Sequence, residues 1–168
     1  LPVQLCTHNK GWNWDGVEFR FLQSAVEYSS ENNNSCVLQI RSKVGNVLLP
    51  GDIESQAEAQ LARSYGRELT SEVLLAPHHG SRSSSSYALL KRVEPSFVVF
   101  SAGYHNSFGH PHEAVVARYG EFASKTLNTA DSGMISFEFS EKINEDGAQE
   151  DQSIHISQYP KQNSRYWH

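Results

Sequence analysis

Five histidines and an aspartate sit where apolar runs of this sequence give way to turns. Residues 48–52 read LLPGD, residues 74–81 read LLAPHHGS and residues 100–112 read FSAGYHNSFGHPH. Imidazole nitrogens and carboxylate oxygens hold divalent cations at about 2.0–2.2 Å, and imidazole also exchanges protons near neutral pH. One carboxylate can bridge two cations, and such a pair activates water and clamps a phosphate or acyl oxygen. The chemistry that suits these residue types is metal-assisted hydrolysis.

Each residue has a plainer role open to it. Asp52 could cap a helix starting near Glu54. His110 and His112 could be loop or capping histidines, and His105, in the turn-like YHNS, is left outside the site. Residues 81–86, serines interrupted by Arg82, would read alone as a linker, which the adjoining HHG argues against. Asn33, Asn34 and Ser35 read as turn residues. Against these accounts stands the joint occurrence of Gly-Asp, His-His-Gly-Ser and Gly-His-Pro-His, each behind an apolar run. Ligands of open α/β sheets gather beyond the strand ends. The expected site therefore unites Asp52, His78, His79, His110 and His112.

The elements that must position these residues are legible from periodicity. Residues 16–22 alternate as a half-buried strand, and a polar loop covers residues 28–35. Residues 36–42 and 46–50 form an antiparallel hairpin around a turn at 43–45. Residues 54–65 are rich in helix formers, with acids in the first turn. Residues 72–77 read as a buried strand, 85–93 as a serine-capped helix ended by Pro95, and 96–102 as the clearest strand. A helix over 112–123 follows, with Pro111 ahead of its first turn. Residues 126–130 and 133–139 close the body as a final strand pair. The order predicts α/β layers rather than an all-β sandwich. The domain is expected to occupy residues 1–140, and residues 141–168 a polar, disordered tail.

The 168 residues suffice for one domain with a core. No apolar run of about 18 residues spans a bilayer, and no basic-then-apolar signal segment opens the chain. Net charge is −5, from 14 basic and 19 acidic residues, much of the acidity lying in 141–151. This argues against a basic nucleic-acid clamp, though not against a site that holds phosphate through cations. Cys6 and Cys36 have no CxxC spacing, which rules out a zinc knuckle. Cys36, in CVLQI, reads as a small buried hydrophobe, and a Cys6–Cys36 disulfide is open to it in an oxidising compartment.

LLPGDIES, LLAPHHGS and GYHNSFGHPH, in this order and spacing, resemble the C-terminal half of a metallo-β-lactamase-fold hydrolase domain. More narrowly they resemble that domain in the ComEC family of competence channels, which move transforming DNA across the cytoplasmic membrane. WNWDGVEFRFL and NNNSCVLQI fit the same family's region before the Gly-Asp turn, so the likeness spans roughly residues 6–139. It implies a four-layered αββα fold, of which this chain supplies the second half. It implies Asp52 as a metal bridge, His78 as the ligand bet beside His79, and His110 and His112 at the cleft rim as catalytic or phosphate-positioning groups with His79. The superfamily's HxHxDH motif is absent, and His8 in CTHNKGW does not fit it. The chain then begins downstream of that motif, the metals (zinc or manganese) belong to the full domain, and the piece alone is expected to be inactive. The implied partners are DNA, the competence machinery, the rest of the channel chain and a second copy covering an open sheet face. The implied address is a soluble domain of a bacterial inner-membrane protein, facing the periplasm or exterior. A non-catalytic scaffold domain, or another phosphoesterase of the same fold, is the alternative reading.

Overall fold

The computed structural model describes Cys6 and residues 10–22, 26–143 and 149–159. Among these, seven strands form one mixed sheet in sequential order. They are β1 (Gly11–Trp14), β2 (Val17–Leu22), β3 (Val37–Ser42), β4 (Gly45–Leu49), β5 (Val73–Leu75), β6 (Phe97–Phe100) and β7 (Lys125–Asn128). The first four pair antiparallel, as tight turns allow. From β4 onward pairing is parallel, each crossover carrying one helix: α1 (Ser55–Tyr65), α2 (Tyr87–Val93) and α3 (Glu113–Glu121).

Register explains the core. Leu48, Leu74 and Val98 are paired neighbours across β4, β5 and β6, so they share one sheet face, and all are fully buried. Helices cover that face with Ala57 and Leu61 from α1, Leu89, Leu90 and Val93 from α2, and Val115 and Tyr119 from α3. Burying a leucine fully is worth about 1.5–3 kcal/mol, and this stripe is the main driving force. Gln39, on the same face of β3, is also buried; it accepts from Arg20 Nε (3.0 Å) and donates to the Glu68 carbonyl (2.8 Å).

The opposite face is covered in part by a second, two-stranded sheet of β8 (Met134–Ile143) and β9 (Gln149–Tyr159). Phe137 meets Phe97 of β6 with ring centroids 6.0 Å apart, and Phe139 lies against Gly45 of β4. Across the hairpin Phe137 pairs with Ile156 and Phe139 with Ile154.

The α/β class and the 36–50 hairpin agree with the sequence. Three expectations need correction, and one strand has no counterpart in the sequence reading. Residues 11–14 are a strand, turned back by Asp15 and Gly16, whose φ of 48° and 78° suit the tight turn a two-residue Asp-Gly loop prefers. Residues 129–132 form a short helix, α4, because the Asn128 side chain accepts from Ala130 N (2.9 Å) and turns the chain out of β7. β7 and β8 are not a pair: β7 extends the large sheet and β8 joins β9. The described residues 149–159, expected within a disordered tail, are strand β9, since Ile154 and Ile156 alternate with polar residues and meet the phenylalanines of β8. The remaining tail residues, 144–148 and 160–168, lie outside the described ones, as does His8.

Cys6 and Cys36 form a disulfide, and no described cysteine is free. The native chain should therefore show no titratable thiol, and two after reduction. Closing a loop across 30 positions should make the oxidised form more stable by about 3–4 kcal/mol. Urea unfolding with and without reductant measures the difference.

Candidate active site at the sheet edge

Three loops meet beyond the C-terminal ends of β4, β5 and β6, and backbone bonds lash them together. His78 N donates to the Gly51 carbonyl (3.0 Å), and His112 N to the Gly80 carbonyl (2.9 Å). The LLPGD loop is held in turn by Ser35, whose Oγ accepts from Asp52 N (3.2 Å), and by Asn33, whose Oδ1 accepts from Glu54 N (2.8 Å). These two residues read from sequence as mere turn formers. The N-cap of α1 is Glu54, so Asp52 does not cap the helix and its carboxylate is left for the site.

His79 is oriented from behind. Its Nδ1 lies 2.7 Å from the Ser101 carbonyl oxygen, which only accepts, so Nδ1 carries the hydrogen. In the neutral ring Nε2 then has a lone pair, and it sits 3.5 Å from Asp52 Oδ1. Two acceptors facing each other are favourable only with a proton or a cation between them. A ring whose far nitrogen donates to a backbone carbonyl is also how proteins aim a ligating histidine.

His78 and His110 form a second pair, with ring centroids 5.9 Å apart. Nδ1 of each is buried without a hydrogen-bond partner. His78 Nδ1 is 3.5 Å from Glu54 Oε1, near enough for attraction to an imidazolium but outside hydrogen-bond geometry. Burial, and then the neighbouring His78, His79 and His112, hold the His110 imidazole below its usual pKa. His112 caps α3, its Nδ1 accepting from Ala114 N (3.2 Å), so its Nε2 carries the hydrogen in the neutral ring. His105, left outside the site, is exposed and packs on Tyr104.

The histidine turn is strained. His78 (φ 48°, ψ 42°) and His79 (φ 55°, ψ 19°) are consecutive non-glycine residues in the left-handed region, at roughly 1–2 kcal/mol each. Gly80 (φ 81°) completes the turn where a Cβ would lie 2.7 Å from Phe100 and 2.9 Å from Pro111. Such strain persists where surroundings over-determine it, and clusters at functional sites. Here Ser84 Oγ donates to the Pro77 carbonyl (2.7 Å) and the Ser81 carbonyl (2.9 Å), bracketing the turn.

Glu58 anchors that bracket. It has no exposed surface, and its two oxygens accept from Ser85 N and Ser86 N, both at 2.6 Å. Arg118 Nη1 donates to the Ser84 and Ser85 carbonyls (3.0 and 2.7 Å), and Tyr119 donates to Ser85 Oγ (2.8 Å). The sequence reading missed Glu54 and Glu58. The readable signal was a carboxylate on the buried stripe of α1, beside Ala57, Leu61 and Ala62.

The five expected residues are thus brought to one edge. Among the described residues, however, no group of three or more His, Cys, Asp or Glu side chains is arranged to hold a metal ion. The donors present do not by themselves fit one.

An α/β protein with strained imidazoles and a carboxylate at its parallel strand ends is the class that fold and site define. No family model matches the chain. It is 40% identical over 127 residues to the competence protein ComA of Neisseria gonorrhoeae, covering 75% of this chain and 18% of that protein. It is 36% identical over 135 residues to recombination protein 2 of Haemophilus influenzae (80% and 17%), and 27% identical over 128 residues to ComE operon protein 3 of Bacillus subtilis (76% and 16%). The chain is a relative of these competence-related proteins over most of its own length, and spans less than a fifth of theirs. No helix among the described residues is long and apolar enough to cross a membrane.

Replacing Glu58 by alanine strands the buried N–H of Ser85 and the part-buried N–H of Ser86, the first at about 1–3 kcal/mol, and should destabilise the chain by a few kcal/mol in urea unfolding. Burial, the largest influence, holds this carboxyl above its ordinary pKa of 4.5. A group raised on folding lends stability that is full below the unfolded pKa and is lost as pH rises through the folded one. Stability relative to Glu58→Gln should therefore fall as pH rises above about 4.5, which paired unfolding curves at stepped pH would show.

Proposed function

We propose that this chain is the C-terminal half of a metallo-β-lactamase-like αββα domain in a DNA-internalisation protein of natural transformation, and that its site serves phosphodiester hydrolysis of DNA. The observation that carries the reading is the pair of facing acceptors, His79 Nε2 and Asp52 Oδ1, each positioned from behind and together requiring a proton or cation. The relatives' names, competence and recombination, supply the biological setting. A helix layer on one sheet face and a two-stranded sheet on the other agree with three of the four layers.

In this reading a divalent ion, zinc or manganese, is held only with ligands from elsewhere in the parent protein, because the described donors do not suffice. The geometry supports His79, rather than its neighbour His78, as the residue aimed alongside Asp52 at such an ion. His110, whose imidazole burial holds below its usual pKa and whose buried Nδ1 has no hydrogen-bond partner, is the group placed to take a proton from the attacking water. His112, with Nδ1 committed to the cap, offers Nε2–H to a phosphate oxygen. The Cys6–Cys36 disulfide supports an oxidising surrounding, the periplasmic or outer side of the inner membrane.

The test compares metal content and DNA phosphodiesterase activity in this chain and in a version extended toward the relatives' upstream sequence. The extended version should bind metal and cleave DNA, losing both with Asp52→Ala and with His79→Ala, each by at least a hundredfold in rate, the scale of losing one transition-state contact. If neither version binds metal or cleaves DNA, the domain is a scaffold of the uptake channel and the hydrolase reading fails.

A further inference from the structure

The loop between β6 and α3 carries a feature that the hydrolytic reading does not use. Phe108 is 80% exposed and Tyr104 67%, in a loop that also holds His110. Exposing a phenylalanine so fully forgoes its burial, and the fold does not force it: Asn106 pins the loop from within. The Asn106 side chain donates to the carbonyls of Gly103 (3.1 Å) and His110 (2.7 Å) and accepts from His110 N (2.9 Å). Its backbone adds two further bonds, to Gly103 and from Gly109 (3.3 Å each). The aromatics therefore project from a braced loop. Phe108 lies nearly parallel to the His110 ring (19°, centroids 5.9 Å), and His110 in turn edges onto His78.

Resting on the reading of the site as a phosphodiester one, we propose that Phe108 and Tyr104 are a stacking platform for unpaired bases, so that the ligand taken beside the imidazoles is single-stranded nucleic acid. Flat, exposed rings on a fixed backbone bind any base by its π-face, without sequence preference. A duplex keeps its bases stacked inward and offers these rings nothing. Charge points the same way. Asp52 and Glu54 line the neighbouring loop and the whole chain carries −5, so phosphates gain little here and affinity must come from the bases. Arg82, exposed in the loop after the histidine turn, is the nearest cation in sequence to His79.

The experiment is fluorescence anisotropy of a labelled oligothymidylate with this 168-residue chain, beside a labelled abasic strand of equal length and a labelled duplex. Phe108→Ala removes an exposed ring and should leave the unfolding curve unchanged, while Phe108→Ala and Tyr104→Ala each weaken oligothymidylate binding by about fivefold to a hundredfold. The abasic strand and the duplex should bind as weakly as the double variant, and raising salt from 50 to 200 mM should change affinity far less than the 10³–10⁵-fold of a multi-phosphate contact. Equal binding of abasic and normal strands, or unchanged affinity in Phe108→Ala, would overturn the platform while leaving the phosphodiesterase reading standing. Phe108-dependent binding to phosphatidylglycerol vesicles without oligonucleotide binding would overturn it in favour of a membrane-facing loop. Asp52→Ala, expected to lose hydrolysis in the extended version, should keep the Phe108-dependent binding; its loss there would overturn the platform as a site separate from the catalytic groups.

Discussion

A carboxylate with no exposed surface holds the histidine-bearing edge of this protein in place. Glu58 is buried in α1, and taking a charge out of water costs several kcal/mol unless it is fully bonded. Both oxygens are met by backbone N–H groups of Ser85 and Ser86, and Arg118 lies close enough to favour the charge. That satisfaction exists only while residues 84–86 keep their path, with Ser85 at φ 58° and Ser86 capping α2. The same path places Ser84 to bracket the His78–Gly80 turn. Desolvation of one side chain in a helix thus fixes a strained turn on the neighbouring strand end, because any relaxation of the turn would loosen a buried charge.

The consequence for chemistry lies in which nitrogens are free. Four histidines at one edge look interchangeable, but the backbone distinguishes them. Ser101 takes one nitrogen of His79 and Ala114 one of His112, while His78 and His110 each keep a buried nitrogen with no partner. An unpartnered buried polar group costs about 1–3 kcal/mol, and the fold tolerates two, side by side, near a carboxylate and a further imidazole. Stability alone gives no reason for such an arrangement. It makes sense where a ligand, proton or ion completes the bonding, which is why the edge reads as a site rather than as packing.

How much of this was legible follows from which interactions are local. The hairpin of β3 and β4 and the buried β6 declare themselves by alternation and apolar runs, which depend on each residue's own chemistry. The three turns announced Asp52, His78, His79, His110 and His112 because Gly and Pro mark strand ends. The Asp-Gly turn before β2 was equally local and was overlooked, as was the Ile-x-Ile alternation of β9 amid acidic residues. Non-local interactions stayed hidden. No local pattern tells that Ser101 aims His79, that Ser35 and Asn33 hold the Gly-Asp loop, or that Glu58 reaches Ser85 across 27 positions.

The large sheet explains why the imidazoles and Asp52 gather at its edge. One face carries Leu48, Leu74 and Val98 under the helices. The other carries Phe97 against Phe137 and, toward β1, Phe19 paired with Ile40 and stacked on Trp12. A sheet apolar on both faces is built to be covered on both, as parallel sheets are. Imidazoles and carboxylates placed on either face would meet hydrocarbon and lose their hydration. Around the parallel strands β4 to β6 the C-terminal strand ends offer water instead, and there successive crossovers bring three turns side by side. The apolar faces thereby sort polar groups to one edge, and the buried carboxylate of Glu58 gives that edge its fixed shape.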